Sequence, residues 1–147
     1  MTRAYLAFTE KGLALAQKLA SALPGTVARC GHGGPGLADW AAEQFAHADA
    51  LIFVGAVGIA VRAIAPHCRS KAVDPAVVVL DECGHFAVPV LSGHLGGAND
   101  LARALAAVCG AVPVITTATD ANGVFAVDAW ARHQNCAVLE PGRIKRV

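Results

Sequence analysis

The sequence predicts an α/β fold in which a layered, mostly parallel sheet is flanked by helices and contains one antiparallel hairpin. Segments typical of strands alternate with segments typical of helices along the 147 residues. The composition, with 55% hydrophobic and 16% charged residues, indicates a compact globular chain. The run Ala50–Val54 (ALIFV) is wholly apolar, which is the pattern of a strand covered on both faces in a parallel sheet.

The first half of the chain alternates three strands with three helices. The expected strands are Ala4–Phe8, Thr26–Ala28 and Ala50–Val54. The expected helices are Thr9–Leu23, Leu37–Ala46 and Val57–Ala65. Thr9 is a residue type that caps helices, and the pair Pro24-Gly25 ends the first helix. Pro66 disfavours helical geometry in the residue before it, so the third helix should end at Ala65.

The second half begins with two strands, Ala76–Leu80 and Phe86–Leu91, that are joined by the turn residues 81–84 (DECG). This pattern predicts a hairpin, and Pro89 predicts that its second strand is kinked or lies at an edge. The remaining expected elements are a helix over Ala98–Cys109 with Gly110 after its end, a buried strand over Val112–Ile115 and a last helix over Val124–His133.

The chain is expected to form one domain over residues 1–139, and the basic stretch 140–147 (EPGRIKRV) resembles the start of a linker. The net charge is +1 and only 5% of the residues are aromatic, so no nucleic-acid partner is expected. The amino terminus is too polar for a signal peptide. The longest apolar run, Ala48–Ala65, is interrupted by charges and glycines, so no membrane span is expected either.

The cysteines number five, an odd count, and no two of them are spaced as C-x-x-C. This pattern argues against a disulfide framework and against a structural zinc site, and it is typical of a reducing cytoplasm. We therefore expect a cytoplasmic protein with no metal ligands and no cofactor of its own.

Three junctions between a strand and a helix are rich in glycine and small polar residues. They are residues 55–58 (GAVG), 92–99 (SGHLGGAN) and 116–123 (TTATDANG). In open α/β sheets, ligands bind beyond the carboxyl ends of the strands. If the second hairpin strand is parallel to the strands at 50–54 and 112–115, all three junctions lie on one rim. That rim would carry helix N-termini, which attract carboxylates and phosphates.

Each junction also has a purely structural interpretation. Gly55 and Gly58 can serve close packing of a helix on the sheet, and the threonine run at 116–119 can cap a helix. Arg62 can be a surface charge, and His94 can be a loop histidine with no chemistry. A nucleotide site is weakly supported, because neither G-x-G-x-x-G nor a phosphate-binding loop motif is present.

Three longer stretches resemble one known family. They are GIAVRAIAP (58–66), DPAVVVLDECGHFAVPVLSGHLGGANDLA (74–102) and PVITTATDANG (113–123). These stretches are similar to the amino-terminal region of the CbiG family, the cobalt-precorrin-5A hydrolases of anaerobic cobalamin biosynthesis. The resemblance implies a hydrolase that opens the δ-lactone of a cobalt-corrinoid and releases acetaldehyde. Cobalt would then be part of the substrate and no protein cofactor.

The family motifs suggest roles for individual residues. Hydrolysis of a lactone needs an activated water and stabilisation of an oxyanion. His94 is the only histidine within a junction, so it is the candidate general base, with Asp120 as the residue that orients either this histidine or the water. Arg62 and Lys71 are candidate partners for substrate carboxylates. The full set of candidate substrate-binding residues is Gly55, Gly58, Arg62, Ser92, Gly93, Gly96, Gly97, Asn99, Thr116, Thr117 and Thr119.

One feature of the chain departs from the family pattern. Family members usually continue into a carboxy-terminal domain, whereas this sequence ends at Val147. A carboxy-terminal domain or partner protein is therefore expected to complete the site. The alternative function is a non-catalytic module that holds a tetrapyrrole and works with such a partner.

Overall fold

The computed structural model describes residues 1–118 of the chain. Six strands are present: β1 Arg3–Ala7, β2 Thr26–Arg29, β3 Ala50–Val54, β4 Ala76–Leu80, β5 Phe86–Leu91 and β6 Val112–Pro113. Four helices accompany them: α1 Glu10–Ala22, α2 Leu37–His47, α3 Val57–Ile64 and α4 Ala98–Cys109. A 3₁₀ turn, Ala65–His67, continues α3.

The strands form a single sheet in the order β2-β1-β3-β4-β5-β6. All neighbouring strands are parallel except β4 and β5, which are antiparallel. The predicted α/β class, with a mostly parallel sheet and one hairpin, is therefore confirmed. Gly84 in the hairpin has a φ of +71°, the backbone conformation for which glycine is favoured.

The core has two halves because side chains alternate between the faces of the sheet. Tyr5 and Ile52 face α1 and α4, whereas Leu6 and Phe53 face α2 and α3. All five residues of β3 are buried, as the apolar run predicts. The ring of Phe53 meets that of Trp40 edge-on with centroids 5.3 Å apart, which adds a specific contact to the second half of the core.

The ends of α1 and α4 follow the sequence signals. The Thr9 hydroxyl oxygen accepts a hydrogen bond from the amide of Gly12 at 3.0 Å, so Thr9 caps α1 as expected. Gly110 follows α4 with a φ of +77°, as a left-handed C-terminal residue should.

The predicted buried strand over Val112–Ile115 is wrong in length and burial. The strand β6 contains two residues, both exposed, and Val112 retains 56% of its accessible surface. Among residues 1–118, β6 lies at one edge of the sheet and pairs only with Phe86 and Ala87, so apolar composition alone does not bury it. The predicted helix over Val124–His133 lies outside the described residues, as does the boundary at 139.

Strand β5 is kinked, as Pro89 predicts. Val78 pairs with Pro89 and Val77 pairs with Leu91, so Val90 is an additional residue in β5. This bulge lets a proline lie within the sheet and bends the strand just before residues 92–97.

Residues 1–118 contain no helix with the length and apolar character that a bilayer span would need.

Candidate functional site

The antiparallel direction of β5 divides the three junctions between two edges of the sheet. Since β3 and β4 are parallel and β5 runs opposite to both, residues 92–99 lie at the edge where β3 and β4 begin. Gly55 and Gly58 follow the end of β3 and lie at the opposite edge. The expectation that all three junctions share one rim is therefore wrong. We call the first edge the glycine-loop edge (92–99 and 114–118) and the second the hairpin edge (8–12, 55–58 and 81–85).

Residues 92–97 form a tightly fixed loop. Ser92 has a φ of +59°, a left-handed conformation that is unusual for a residue with a side chain. The Ser92 side chain is buried, and its hydroxyl donates to the carbonyl oxygen of Asp74 at 3.0 Å. This bond ties the loop to the segment that precedes β4. Gly97 has a φ of +86° and begins the turn into α4.

The amides at the start of α4 donate within the loop. The amide of Gly97 donates to the carbonyl of His94 at 3.2 Å. The amides of Ala98 and Asn99 donate to the carbonyls of Ser92 and Gly93, each at 3.0 Å. These hydrogen bonds fix the loop. They also use backbone amides at the start of the helix that, from the sequence, were expected to be available to a ligand.

Two other glycines are required by packing inside the loop. A Cβ atom on Gly96 would lie 2.4 Å from Cβ of Ser92, and one on Gly93 would lie 3.0 Å from Oδ1 of Asn99. The density of glycines in this loop is thus explained by its own close packing. The amide of Gly96 has no hydrogen-bond partner among residues 1–118, so it remains available to a ligand.

Asn99 connects the loop to the chain after β6. Its side-chain amide donates to Oγ1 of Thr117 at 3.1 Å, and Asn99 is 3% exposed. The expectation that the 92–99 and 116–123 junctions meet therefore holds as far as Thr116 and Thr117. Thr119 and Asp120 lie outside the described residues.

His94 and Arg62 are accessible. His94 lies in the middle of the loop and is partly exposed. Arg62 is exposed in the last turn of α3. Because α3 connects two parallel strands, it runs from the hairpin edge back towards the edge where β4 begins. Arg62 thus lies nearer the glycine-loop edge than Gly55 or Gly58 does.

An open cleft adjoins the loop. One part, of about 350 Å³, lies between the end of α2 and the segment 66–75. A second part, of about 510 Å³, shares Phe45, Val73 and Asp74 with the first and extends to Leu95 and Gly96. The glycine-loop edge therefore combines a fixed polar loop with space for a ligand.

The sequence interpretation missed Arg69 and Asp74, which line this cleft. The Asp74 carboxylate accepts the amide hydrogen of Arg69, with both oxygens within 3.0 Å of that nitrogen. Asp-Pro before an apolar strand is a turn signal, but only the antiparallel β5 places it beside Ser92.

The hairpin edge has a different character. A pocket of about 350 Å³ lies there between Phe8, Ile59 and the acidic pair Asp81 and Glu82. The Thr9 hydroxyl donates a short hydrogen bond to the Glu82 carboxylate. The Lys11 ammonium lies 3.2 Å from Sγ of Cys83, and this sulfur together with the nearby carboxylates raises the pKa of Lys11.

Among residues 1–118, one group of side chains has potential ligand atoms close enough together to hold a metal ion. The group consists of Asp81, Cys83 and His85, whose ligand atoms lie within 4.8 Å of one another. The hairpin already uses the Asp81 carboxylate, which accepts the amides of His85 and Phe86 at 2.9 and 2.7 Å. The absence of metal ligands and of a cofactor stays a prediction. In residues 1–118 the free thiols are Cys30, Cys68, Cys83 and Cys109.

The model of the cobalamin synthesis G N-terminal family matches residues 39–120, more than half of the chain. The chain belongs to this family. A cobalt-precorrin-5A hydrolase from Salmonella typhimurium is 47% identical over 149 residues, covering 93% of this chain and 41% of that protein. A cobalt-precorrin-5A hydrolase from Priestia megaterium is 49% identical over 82 residues, covering 56% of this chain and 22% of that protein. The chain thus spans less than half the length of these curated relatives.

A solved structure supports the fold. The crystal structure of a cobalamin biosynthesis protein G homolog from Sulfolobus solfataricus superposes with a TM-score of 0.66. The match covers 99% of this chain and 44% of that one, at 23% identity. At this level of identity, the similarity shows that the two chains share a fold.

Proposed function

We propose that this chain is the amino-terminal part of a cobalt-precorrin-5A hydrolase and that the glycine-loop edge lies against the reacting part of the substrate. The observation that carries this proposal is the fixed loop 92–97 beside an open cleft, in a chain 47% identical to a protein of that activity. The hairpin edge is a poorer candidate, because its cation Lys11 donates to Cys83 beside the acids Asp81 and Glu82, whereas the guanidinium of Arg69 in the cleft has no partner among residues 1–118.

The chemistry consists of one hydrolysis. A water oxygen attacks the lactone carbonyl carbon, the acyl C–O bond breaks, and a carboxylate and an alcohol result. The alcohol then loses its proton and the carbon–carbon bond between its two-carbon fragment and the macrocycle breaks. The fragment leaves as acetaldehyde, as the family resemblance implies, and the electron pair of the broken bond stays on the macrocycle, which takes up a proton. His94 takes the proton of the attacking water in this scheme, and an imidazole is well suited to that task near neutral pH.

Among residues 1–118, few donors at the glycine-loop edge are available for the developing oxyanion. Gly97, Ala98 and Asn99 use their amides inside the loop, whereas Gly96 keeps its amide for a ligand. Asp120 is proposed to orient His94, and a carboxy-terminal domain or separate partner protein to supply further donors. This shortage is also the observation that favours the alternative, a tetrapyrrole-binding module whose partner carries the chemistry.

Acetaldehyde release distinguishes the two functions. The chain is incubated with cobalt-precorrin-5A alone and together with the remaining carboxy-terminal part of the Salmonella relative, and acetaldehyde is followed by a coupled dehydrogenase. We expect release from the mixture and loss of that release with His94→Ala. A shift of corrinoid absorbance, with acetaldehyde release that His94→Ala leaves unchanged, would assign the chain to binding alone.

A further inference from the structure

The cleft beside the glycine loop is continuous from the segment 66–75 to the loop itself. Its two parts share Phe45, Val73 and Asp74, and the second part ends at Leu95 and Gly96. Their volumes, about 350 and 510 Å³, lie within the usual range of small-molecule sites. A ligand held near Arg69 can therefore extend to the loop that carries His94.

Arg69 is the cationic side chain that lines this cleft among residues 1–118. Within residues 1–118, its guanidinium makes no hydrogen bond and no ion pair. The two acids that line the described part of the cleft make no hydrogen bond to this guanidinium. Asp74 accepts the main-chain amide of Arg69, and Asp49 accepts the amide and hydroxyl of Thr2 at 2.8 and 3.0 Å. A guanidinium in this state is suited to a planar carboxylate, which it can bind through two parallel hydrogen bonds.

Apolar side chains form part of the rest of the cleft wall. Val73 keeps 68% of its surface exposed, and Phe45 stacks at a tilt against the imidazole of His67 with ring centroids 5.8 Å apart. Pro66 and Pro75 add rigid apolar surface beside them. An unpaired guanidinium next to such a wall matches a ligand that has an apolar body and a peripheral carboxylate.

Covalent chemistry is disfavoured in this cleft. The thiol of Cys68 donates to the carbonyl of Ile64 at 3.4 Å. Burial, and to a lesser extent the Asp74 carboxylate, raise the pKa of Cys68. Its thiol therefore stays protonated at neutral pH and is a poor nucleophile. The cleft is built for binding.

We infer that this cleft binds one carboxylate-bearing edge of a planar tetrapyrrole, with Arg69 as the carboxylate anchor and Val73 and Phe45 as the apolar wall. The inference rests on the proposed function, which supplies the substrate class, and it adds the place and orientation of that substrate. The macrocycle would extend from Arg69 across Val73, so that its reacting side meets residues 92–97.

Fluorescence anisotropy of uroporphyrin, a tetrapyrrole that carries eight carboxylates, tests this inference with the intact chain. Arg69→Gln should weaken binding about 10- to 100-fold, since a hydrogen bond to a charged partner is lost. Arg69→Lys should restore part of the affinity, and Val73→Asp should weaken binding by repelling a carboxylate. Lys18→Gln, which removes an exposed charge from α1, is the matched control and should bind like the wild type.

Folding is checked separately, because the side chain of Arg69 has no role in the described hydrogen bonds. Thermal midpoints of all four variants should match the wild type. Equal affinities of Arg69→Gln and Lys18→Gln, or no uroporphyrin binding by the wild type, would overturn the inference.

Acetaldehyde release with an unchanged KM in Arg69→Gln would refute the subsite and leave the proposed function standing. Binding that depends on Arg69, without acetaldehyde release, would support the subsite and refute the proposed function.

Discussion

The two edges of the sheet differ in what their side chains already do. At the hairpin edge, where the parallel strands β1, β3 and β4 end, Thr9 donates a hydrogen bond to Glu82 and Lys11 donates one to Cys83. At the glycine-loop edge, a cation and a histidine-bearing loop border an open cleft. Ligands of open α/β sheets usually bind at the carboxyl ends of the strands. Here the antiparallel pairing of β5 with β4 moves the glycine-rich loop to the other edge.

The largest expected effect comes from His94→Ala in a system that contains the carboxy-terminal part. Loss of a general base should reduce the rate of acetaldehyde release roughly 10²- to 10⁴-fold. The fold should survive, because His94 is a partly exposed loop residue. His85→Ala, at the exposed hairpin edge, is the matched control and should keep the wild-type rate. Equal rate losses in both variants would remove the functional contrast between the edges.

The next effect is on the free energy of unfolding. Leu101→Ala should lower it by roughly 2–5 kcal/mol, since Leu101 is 5% exposed on the buried face of α4 and its removal leaves a cavity. Urea titration measures the change, with an unchanged slope indicating that the native state stays compact. Leu19→Ala on α1, which is fully buried in the same half of the core, should cost a similar amount. A loss well below 1 kcal/mol at Leu101 would mean that α4 is packed more loosely than described.

A matched pair of glycine substitutions compares the edges directly. In Gly96→Ala the new Cβ would lie 2.4 Å from Ser92, so the loop must shift and stability should fall by about 1–3 kcal/mol. In Gly58→Ala the new Cβ meets nothing within 4 Å, and alanine favours the helix by about 0.5–1 kcal/mol. Thermal midpoints should therefore move in opposite directions. Movement in the same direction would contradict the close packing that explains the glycines of the loop.

Local signals predicted most of the elements, because caps and hydrophobic periodicity act within a few residues. The bounds of β3, β4, β5 and α4 agree with those predicted, and Thr9 and Gly110 occupy the predicted positions at helix ends. The arrangement of the site did not follow from the same signals. The hairpin was predicted, but its consequence for residues 92–99 depends on β3 and β4 being parallel, which they are because α3 carries the chain back between them.

Burial and tertiary contacts could also not be predicted from local sequence patterns. Val112 is apolar but exposed, because β6 pairs over only two residues at the edge of the sheet. The hydrogen bond from Ser92 to Asp74 joins residues 18 positions apart and is invisible to any local pattern. Arg69 therefore became a candidate only once the fold had placed it beside the glycine loop.

The smallest expected effects are on pH dependence, and they have opposite signs at the two edges. Hydrogen bonds from Thr2 lower the pKa of Asp49, which lines the cleft, below its usual 3.8. A lowered folded-state pKa stabilises the native state above the unfolded value, and this contribution is lost as the pH falls through the folded value. Lys11 has a raised pKa, so its contribution to the stability of the native state is complete below about pH 10.5 and is lost as the pH rises further.

Urea titrations across pH measure both contributions. Asp49→Asn should flatten the loss of stability below about pH 4 and leave the alkaline limb unchanged, whereas Lys11→Met should flatten only the limb above about pH 10. Both groups are solvent-exposed, so screening keeps the changes small and 1 M salt should reduce the Lys11 effect further. Asp49→Asn should be less sensitive to salt, because its effect comes from hydrogen bonds to Thr2. An acid limb that is identical in Asp49→Asn and the wild type would show that these bonds do not persist in solution.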